Sequence, residues 1–348
     1  MTLTEAARLT RKIAFWGGLL VVFLIFLRVS VGIGIGIFRQ IFPKPTPPPT
    51  VTFGKLTPYD FSQNIATTSA EAIFVIKTIR EDLPNLGDRA NVYKVVQNPP
   101  SILFGEQARR QAQNLGFNPE PETTTERIYT FSDPQLSGRK LELDVILGNF
   151  RIKNDLNLYP EILGMAGQLN RDEAVNIARN FLSRNSSFQE KVFPEEKITV
   201  QPLKIEGGQT VAAKSFAESQ IVRVGFGRAD LEKIPILPVD AEIPNVWVEV
   251  TPLGGAQQIF QASFFYYPED PENPATYPVK STQTAFEELA KGGGILIGEK
   301  LQELEIRRIY LAYLETVAPM NFYLPVYVFA GDNFQGFVPA IPSEWFGQ

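Results

Sequence analysis

Neither cysteine nor histidine occurs anywhere in this 348-residue chain. Without cysteine no disulfide forms, so an oxidising compartment is tolerated but not signalled by bridges. The double absence removes zinc sites built from Cys and His, thiolate nucleophiles and imidazole general bases. A hard cation held by carboxylates is what remains for metal chemistry. Tryptophan is scarce too: Trp16, Trp247 and Trp345 are the only three, a thin supply for a sugar-binding platform. No cofactor is expected.

Phenylalanine and tyrosine are plentiful, at 26 and 11, so a sizeable core is available. Charge is uneven. Residues 1–55 carry seven basic groups against Glu5 alone, about +6, whereas the whole chain is −5, leaving about −11 on the remainder. An acidic globular part does not look like a nucleic-acid binder. The basic end suits an anionic membrane surface instead.

The longest apolar stretch runs from Ile13 to Phe38, with Ile13–Leu27 free of any charge. As a helix these residues would span roughly 39 Å, more than a hydrocarbon core of about 30 Å. Core helices normally keep a polar face, and this run has none. It is therefore expected to be a transmembrane anchor, with Ile13, Trp16, Leu20, Phe23 and Leu27 facing lipid. Arg28 is the one charge within it, placed off-centre where its stem can snorkel. Gly32, Gly34 and Gly36 mimic a nucleotide-binding pattern, but no strand–turn–helix unit surrounds them. Arg8, Arg11 and Lys12 precede the run, which puts the N-terminus in the cytoplasm and the rest outside. No A-x-A site follows, so an uncleaved signal anchor is favoured over a cleaved signal peptide. Pro43 to Thr50 reads as an extended polyproline spacer.

After Lys55 short alternating strands dominate, expected at Ala72–Ile79, Glu126–Phe131, Lys140–Ile146, Ile198–Ile205, Ser219–Phe226 and Val246–Thr251. Others are expected at Gln257–Tyr266, Ile306–Leu314, Tyr323–Phe329 and Gln335–Ala340. Gly254-Gly255 and Gly331-Asp332-Asn333 each read as a hairpin turn. Helices are expected at Glu106–Leu115, Arg171–Arg184 and Thr284–Lys291, the second capped by Asn170 with Glu173 and the third by Thr284 with Glu287. The fold class is thus α+β: one N-terminal transmembrane helix, then mostly antiparallel sheets with a few packed helices. The expected organisation is a cytoplasmic tail over 1–12, the anchor over 13–38, a stalk over 39–55, and two α+β units over 56–165 and 166–348. A helix followed by strands in both halves suggests an internal duplication.

Two stretches resemble known families. Asp172-Glu173-Ala174-Val175-Asn176-Ile177-Ala178-Arg179-Asn180-Phe181-Leu182 is similar to the opening helix of PepSY-type modules. Farther on come Tyr277-Pro278-Val279-Lys280-Ser281, Ala285-Phe286-Glu287-Glu288-Leu289 and Ile309-Tyr310-Leu311-Ala312-Tyr313. With Leu324–Gly331 and Phe337-Val338-Pro339-Ala340, these resemble the C-terminal domain of YycH/YycI-type proteins, extracytoplasmic regulators of a membrane histidine kinase. The resemblance implies a single-pass protein with PepSY-like α+β domains and an envelope partner. Its motifs are structural, so no functional residue is carried over.

Candidate chemistry is sparse. Glu269, Asp270 and Glu272 in the loop Pro268–Pro274 could offer oxygens to calcium, which requires 6–8, but nothing here matches an EF-hand loop and the prolines favour a rigid, solvated turn. Lys214-Ser215 and Lys280-Ser281 pair the residues of a Ser/Lys hydrolase, but neighbours on a strand point to opposite faces. No local motif selects a carboxylate pair for glycoside hydrolysis. Among the aromatic strands, adjacent Phe264 and Phe265 cannot both face one core, so Phe264, Phe265, Tyr266, Tyr310 and Tyr327 form a candidate partner surface. The leading expectation is a non-enzymatic interaction module that binds and modulates a sensor kinase, a peptidase or another envelope protein. The alternatives are a membrane-tethered hydrolase and a wall-binding structural protein.

Overall fold

The structure is a computed structural model that describes residues 16–20, 23–31, 48–59, 73–99, 101–240, 243–298 and 303–347. The expected tail over 1–12, Ile13, the glycines at 32, 34 and 36, and residues 39–47 of the stalk lie outside the described residues. The chain divides into two units, Met1–Pro48 and Pro49–Gln348.

The first unit contributes helical residues 16–20 and 23–31. Among the described residues no helix is long and apolar enough to cross a membrane.

The second unit is α+β and mostly antiparallel. Its largest sheet has nine strands, all antiparallel. Four come from earlier sequence: Thr123–Thr124, Ile128–Ser132, Lys140–Asp144 and Phe150–Lys153. Five follow in spatial order: Ile259–Phe264, Val246–Val250, Ile221–Phe226, Ile198–Glu206 and Gln209–Ala212. The join is made by Phe150 opposite Phe264 and Ile152 opposite Ala262. One sheet therefore crosses the boundary expected at residue 165/166, and that expectation is corrected. The edge of the first half is completed by backbone hydrogen bonds to the second, a pairing that depends on a partner over a hundred residues away.

Helices Phe104–Asn114 and Arg171–Asn185 lie against this sheet. The second buries Ala174, Val175, Ala178 and Leu182, an i, i+4 stripe whose small alanines let the backbone approach the strands. Its start is fixed by Asn170, whose side-chain oxygen accepts from Glu173 N at 2.9 Å. Phe131, Leu141, Phe150, Val224, Val248 and Phe264 complete the core beneath.

A five-stranded sheet runs in the order Ile236–Pro238, Arg308–Glu315, Pro325–Ala330, Phe334–Pro339 and Ile295–Gly298. Helix Thr282–Ala290 packs on it through Ala285 and Leu289. Its cap is Ser281, whose hydroxyl accepts from Thr284 N at 3.1 Å, so the expected start at Thr284 moves two residues earlier. Every residue of Pro325–Ala330 is buried. Val326 and Val328 fill one core and Tyr327 and Phe329 another, because both faces of this strand are covered.

Two smaller sheets finish the unit: Ala275–Pro278, Arg89–Lys94 and Phe322–Tyr323, and the parallel pair Ile73–Ile76 with Glu303–Ile306. Residues 50–55, expected to belong to the stalk, are part of this globular unit. Thr50 N donates to Thr276 Oγ1 at 2.8 Å, and Phe53 packs on Phe322 with centroids 5.5 Å apart. Leu56, 1% exposed, is clasped by the C-terminal residues, with Leu56 N donating to Trp345 O at 2.8 Å and Gly347 N to Leu56 O at 3.0 Å.

Candidate functional site

The expected anchor residues that are described behave alike. Trp16, Leu20, Phe23 and Leu27 are 65%, 59%, 58% and 48% exposed, and Arg28 is exposed as well. Leu19, Leu24, Ile25, Phe26, Val29 and Val31 are exposed in the same way. Consecutive apolar positions at 100° intervals leave no polar stripe on the helical segment.

The proposed aromatic surface does not form as one patch. Phe264 is 1% exposed and stacks on Phe150 at 5.8 Å, and Tyr327 is fully buried with its hydroxyl donating to Lys280 O at 2.6 Å. Both correct the expectation of outward aromatics, because each of their strands is covered on two sides. Phe265, Tyr266 and Tyr310 are half-buried. Phe265 lies under the Arg151 guanidinium at 5.2 Å, and Tyr310 packs in the second core of the five-stranded sheet.

Tyr266 belongs to a polar cluster that sequence reasoning did not find. Arg228 follows the strand Ile221–Phe226 and is 6% exposed. Its Nη1 donates to Glu315 Oε1 at 2.6 Å and to the Tyr323 hydroxyl at 2.8 Å; its Nη2 donates to Glu269 Oε2 at 2.6 Å. The guanidinium sits 4.6 Å over the Tyr266 ring. Burial by itself lowers the Arg228 pKa, but Tyr323, Glu315 and Glu269 outweigh it and hold the group charged. Burial drives the Tyr323 phenol well above its ordinary range, against the pull of Arg228. The only sequence signal was the acidic loop, and its Glu269 proves to be the partner of this buried arginine. The three hydrogen-bond partners lie 41 to 95 positions from Arg228, so spacing held no trace of them.

The other candidates are occupied by structural bonds. Asp270 accepts from Glu272 N at 3.2 Å and from Asn273 Nδ2 at 3.0 Å. Among the described residues no group of three acidic side chains is placed to hold a metal ion. Lys280 pairs with Glu288 while Ser281 caps the following helix, so they do not address one another. Lys214 and Ser215 sit exposed at a short turn. A buried carboxylate, Glu249, accepts at Oε1 from Nη2 of half-buried Arg223 at 2.7 Å, beside Trp247 on the nine-stranded sheet. Burial raises the Glu249 carboxyl above its ordinary value, opposed by Arg223.

A groove of about 510 Å³ is lined by Lys94, Val96, Gln97, Asp270, Asn321 and Phe322, among others. It adjoins the place where the chain joins the globular unit, since Phe322 is stacked by Phe53 and Asn321 reaches Thr57.

No family model matches the chain, and no curated protein matches it. Among solved structures, an uncharacterized protein from Eubacterium rectale ATCC 33656 is similar at 8% identity and a TM-score of 0.36, over 73% of this chain and 84% of that one. A likeness of that size carries no argument about fold or activity.

Proposed function

We propose that this protein is a single-pass membrane protein whose extracytoplasmic α+β unit binds and modulates another envelope protein without catalysing a reaction. The observation that carries this reading is the pair of helical stretches 16–20 and 23–31. Their ten described large hydrophobic side chains are 48% to 70% exposed around the whole circumference. A helix apolar on all sides needs an apolar surrounding, and the sequence run Ile13–Phe38 is long enough to find it in a bilayer. Basic residues before the run favour a cytoplasmic N-terminus.

The interaction role is supported by the resemblance of residues 172–182 and 277–340 to PepSY-type and YycH/YycI-type regulators. It is also supported by the bonding of the candidate catalytic pair Lys280 and Ser281, and of the candidate cation ligands Glu269 and Asp270, to neighbouring groups, which leaves these side chains engaged in structure. The partner is a membrane or envelope protein, and neither nucleic acid nor a cofactor is involved.

In-cell crosslinking of the full-length protein, followed by identification of what copurifies, tests this. A form lacking residues 1–48 and exported by a cleavable signal serves as the comparison. One dominant membrane protein, recovered with the anchored form, is expected. Recovery of only abundant envelope proteins would refute the regulator reading, and fractionation of the full chain away from membranes would refute the anchor.

A further inference from the structure

Beside the Arg228 cluster lies a cavity of about 150 Å³, whose wall combines polar Arg228, Glu315 and Asn245 with apolar Phe226, Ile236 and Pro244. Lys197 and Thr199 also line it, and Thr199 is exposed, so the cavity opens to solvent. A space of this size takes a molecule of roughly six heavy atoms, or the end of a larger one.

Two groups in this wall have hydrogen-bonding capacity left over. Glu315 Oε1 accepts from Arg228 Nη1 and from the Tyr323 hydroxyl, both at 2.6 Å. Its Oε2 receives only a long approach from Asn245 Nδ2, at 3.4 Å, among the described residues. Arg228 spends Nη1 and Nη2 on two carboxylates and a tyrosine, but its buried Nε–H meets no acceptor among the described residues. Buried polar groups are nearly always satisfied in native proteins, so an acceptor and a donor left in the wall of one cavity require a further partner. Charge indicates what kind. One guanidinium serves both Glu315 and Glu269, while Lys197 at the rim is paired with Asp230 at 3.0 Å. The group keeps one negative charge in excess at a place of low exposure, which a cationic ligand offsets.

The wall is also held in place by a strained turn. Between Arg228 and Ile236 the chain reverses at Glu232 and Lys233, whose φ angles of +48° and +73° are left-handed without glycine. Leu231 N donates to Ile234 O at 2.9 Å, Ile234 N donates to Leu231 O at 2.8 Å, and Glu232 Oε2 accepts from Asn91 Nδ2 at 2.8 Å. Such strain persists only where the surroundings over-determine it, and here it fixes the two cavity residues on either side.

We propose that this cavity binds a protonated primary amine with a carbonyl oxygen one carbon away, the arrangement at the N-terminal residue of a peptide and in a free amino acid. The ammonium donates to Glu315 Oε2, the oxygen accepts from Arg228 Nε, and a short side chain rests on Ile236 and Pro244. The site stands independently of the membrane anchor and of the envelope partner proposed above.

The test is a titration of the full chain, in a neutral detergent, with L-alaninamide, L-alanine and N-acetyl-L-alaninamide, followed by ligand-observed saturation-transfer NMR. Alaninamide carries both the ammonium and the carbonyl, and its acetylated form lacks the ammonium. Alaninamide is expected to bind, and the acetylated form to bind at least about tenfold more weakly, the loss of one charge-assisted hydrogen bond. Tighter binding of alaninamide than of alanine identifies a peptide terminus as the source, and the reverse order a free amino acid. Glu315→Gln keeps an acceptor for Arg228 and Tyr323 but puts a donor in place of Oε2, and is expected to abolish binding. Thr199→Trp, at the exposed rim and outside the buried cluster, is expected to block the mouth without changing the melting temperature, and it decides the matter if Glu315→Gln does not fold. Absence of binding by both alaninamide and alanine means that water alone fills the cavity, and overturns the proposal. Equal binding of the acetylated form, or binding unchanged in Thr199→Trp, overturns it as well.

Discussion

Arg228 and Glu315 meet at 2.6 Å, each about 5% exposed, and join the end of a nine-stranded sheet strand to the end of a five-stranded sheet strand. Glu269 from the acidic loop completes the bond from the opposite side at 2.6 Å. A buried cation between two carboxylates is costly to dismantle from one side, because the remaining charges lose their partner but not their burial. Arg228→Met is expected to destabilise the globular unit by about 3–5 kcal/mol. Denaturant unfolding of the variant and the wild type measures it. A loss below about 1 kcal/mol would mean that the cluster is hydrated and contributes little.

The attachment of residues 50–56 to the C-terminal end predicts a mechanical dependence between the two. Removing residues 343–348 deletes the carbonyl of Trp345 that accepts from Leu56 N and the Gly347 N–H that donates back. Protease cleavage within residues 50–59 is expected to rise in that truncation while cleavage elsewhere stays unchanged. Leu56→Ala is expected to cost about 2–5 kcal/mol, as a leucine lost from a closed core does.

Adjacent phenylalanines should separate cleanly. Phe264→Ala removes a ring packed among Phe150, Phe193 and Tyr266, with an expected loss of about 3–5 kcal/mol. Phe265→Ala removes a half-buried ring and should cost on the order of 1 kcal/mol. Equal losses would contradict the strand alternation that places them on different faces.

Burial raises the phenol pKa of Tyr59, Tyr267, Tyr313 and Tyr323, each with desolvation as the leading cause. A folded-state pKa above the unfolded value gives stability that is complete below about pH 10 and lost as pH rises past it. Each protected phenol contributes a slope of roughly 1.4 kcal/mol per pH unit in that window. An ultraviolet titration should therefore show these four phenols ionising only together with unfolding. Their smooth titration in the folded state would contradict the burial.

Much of the second unit was legible because its strands obey local rules. Gly254-Gly255 and Gly331-Asp332-Asn333 do separate antiparallel neighbours. Asn170 caps its helix through the spacing that marks a capping residue. The strands Arg89–Lys94 and Ala275–Pro278 escaped notice, because charged, Asn and Pro residues interrupt their alternation. Both are made strands by mutual pairing, Val92 opposite Ala275 and Ala90 opposite Tyr277. The aromatic surface failed for a related reason. Alternation says that Phe264 and Phe265 face opposite ways, but which faces are covered depends on what packs above them.

The sequence by itself determined the apolar N-terminal run, the chemistry removed with cysteine and histidine, and the α+β, mainly antiparallel character of the rest. Those follow from composition, from unbroken hydropathy and from periods of two and about 3.6, all of which act within a few residues. Only the tertiary structure decided that one sheet spans both halves, that residues 50–55 belong to the globular unit, and that Arg228 neutralises Glu269 and Glu315. Each of these is a contact between segments 41 to about 290 positions apart. Such contacts form where burial leaves a backbone edge or a charge in need of a partner, and a local pattern cannot name that partner in advance.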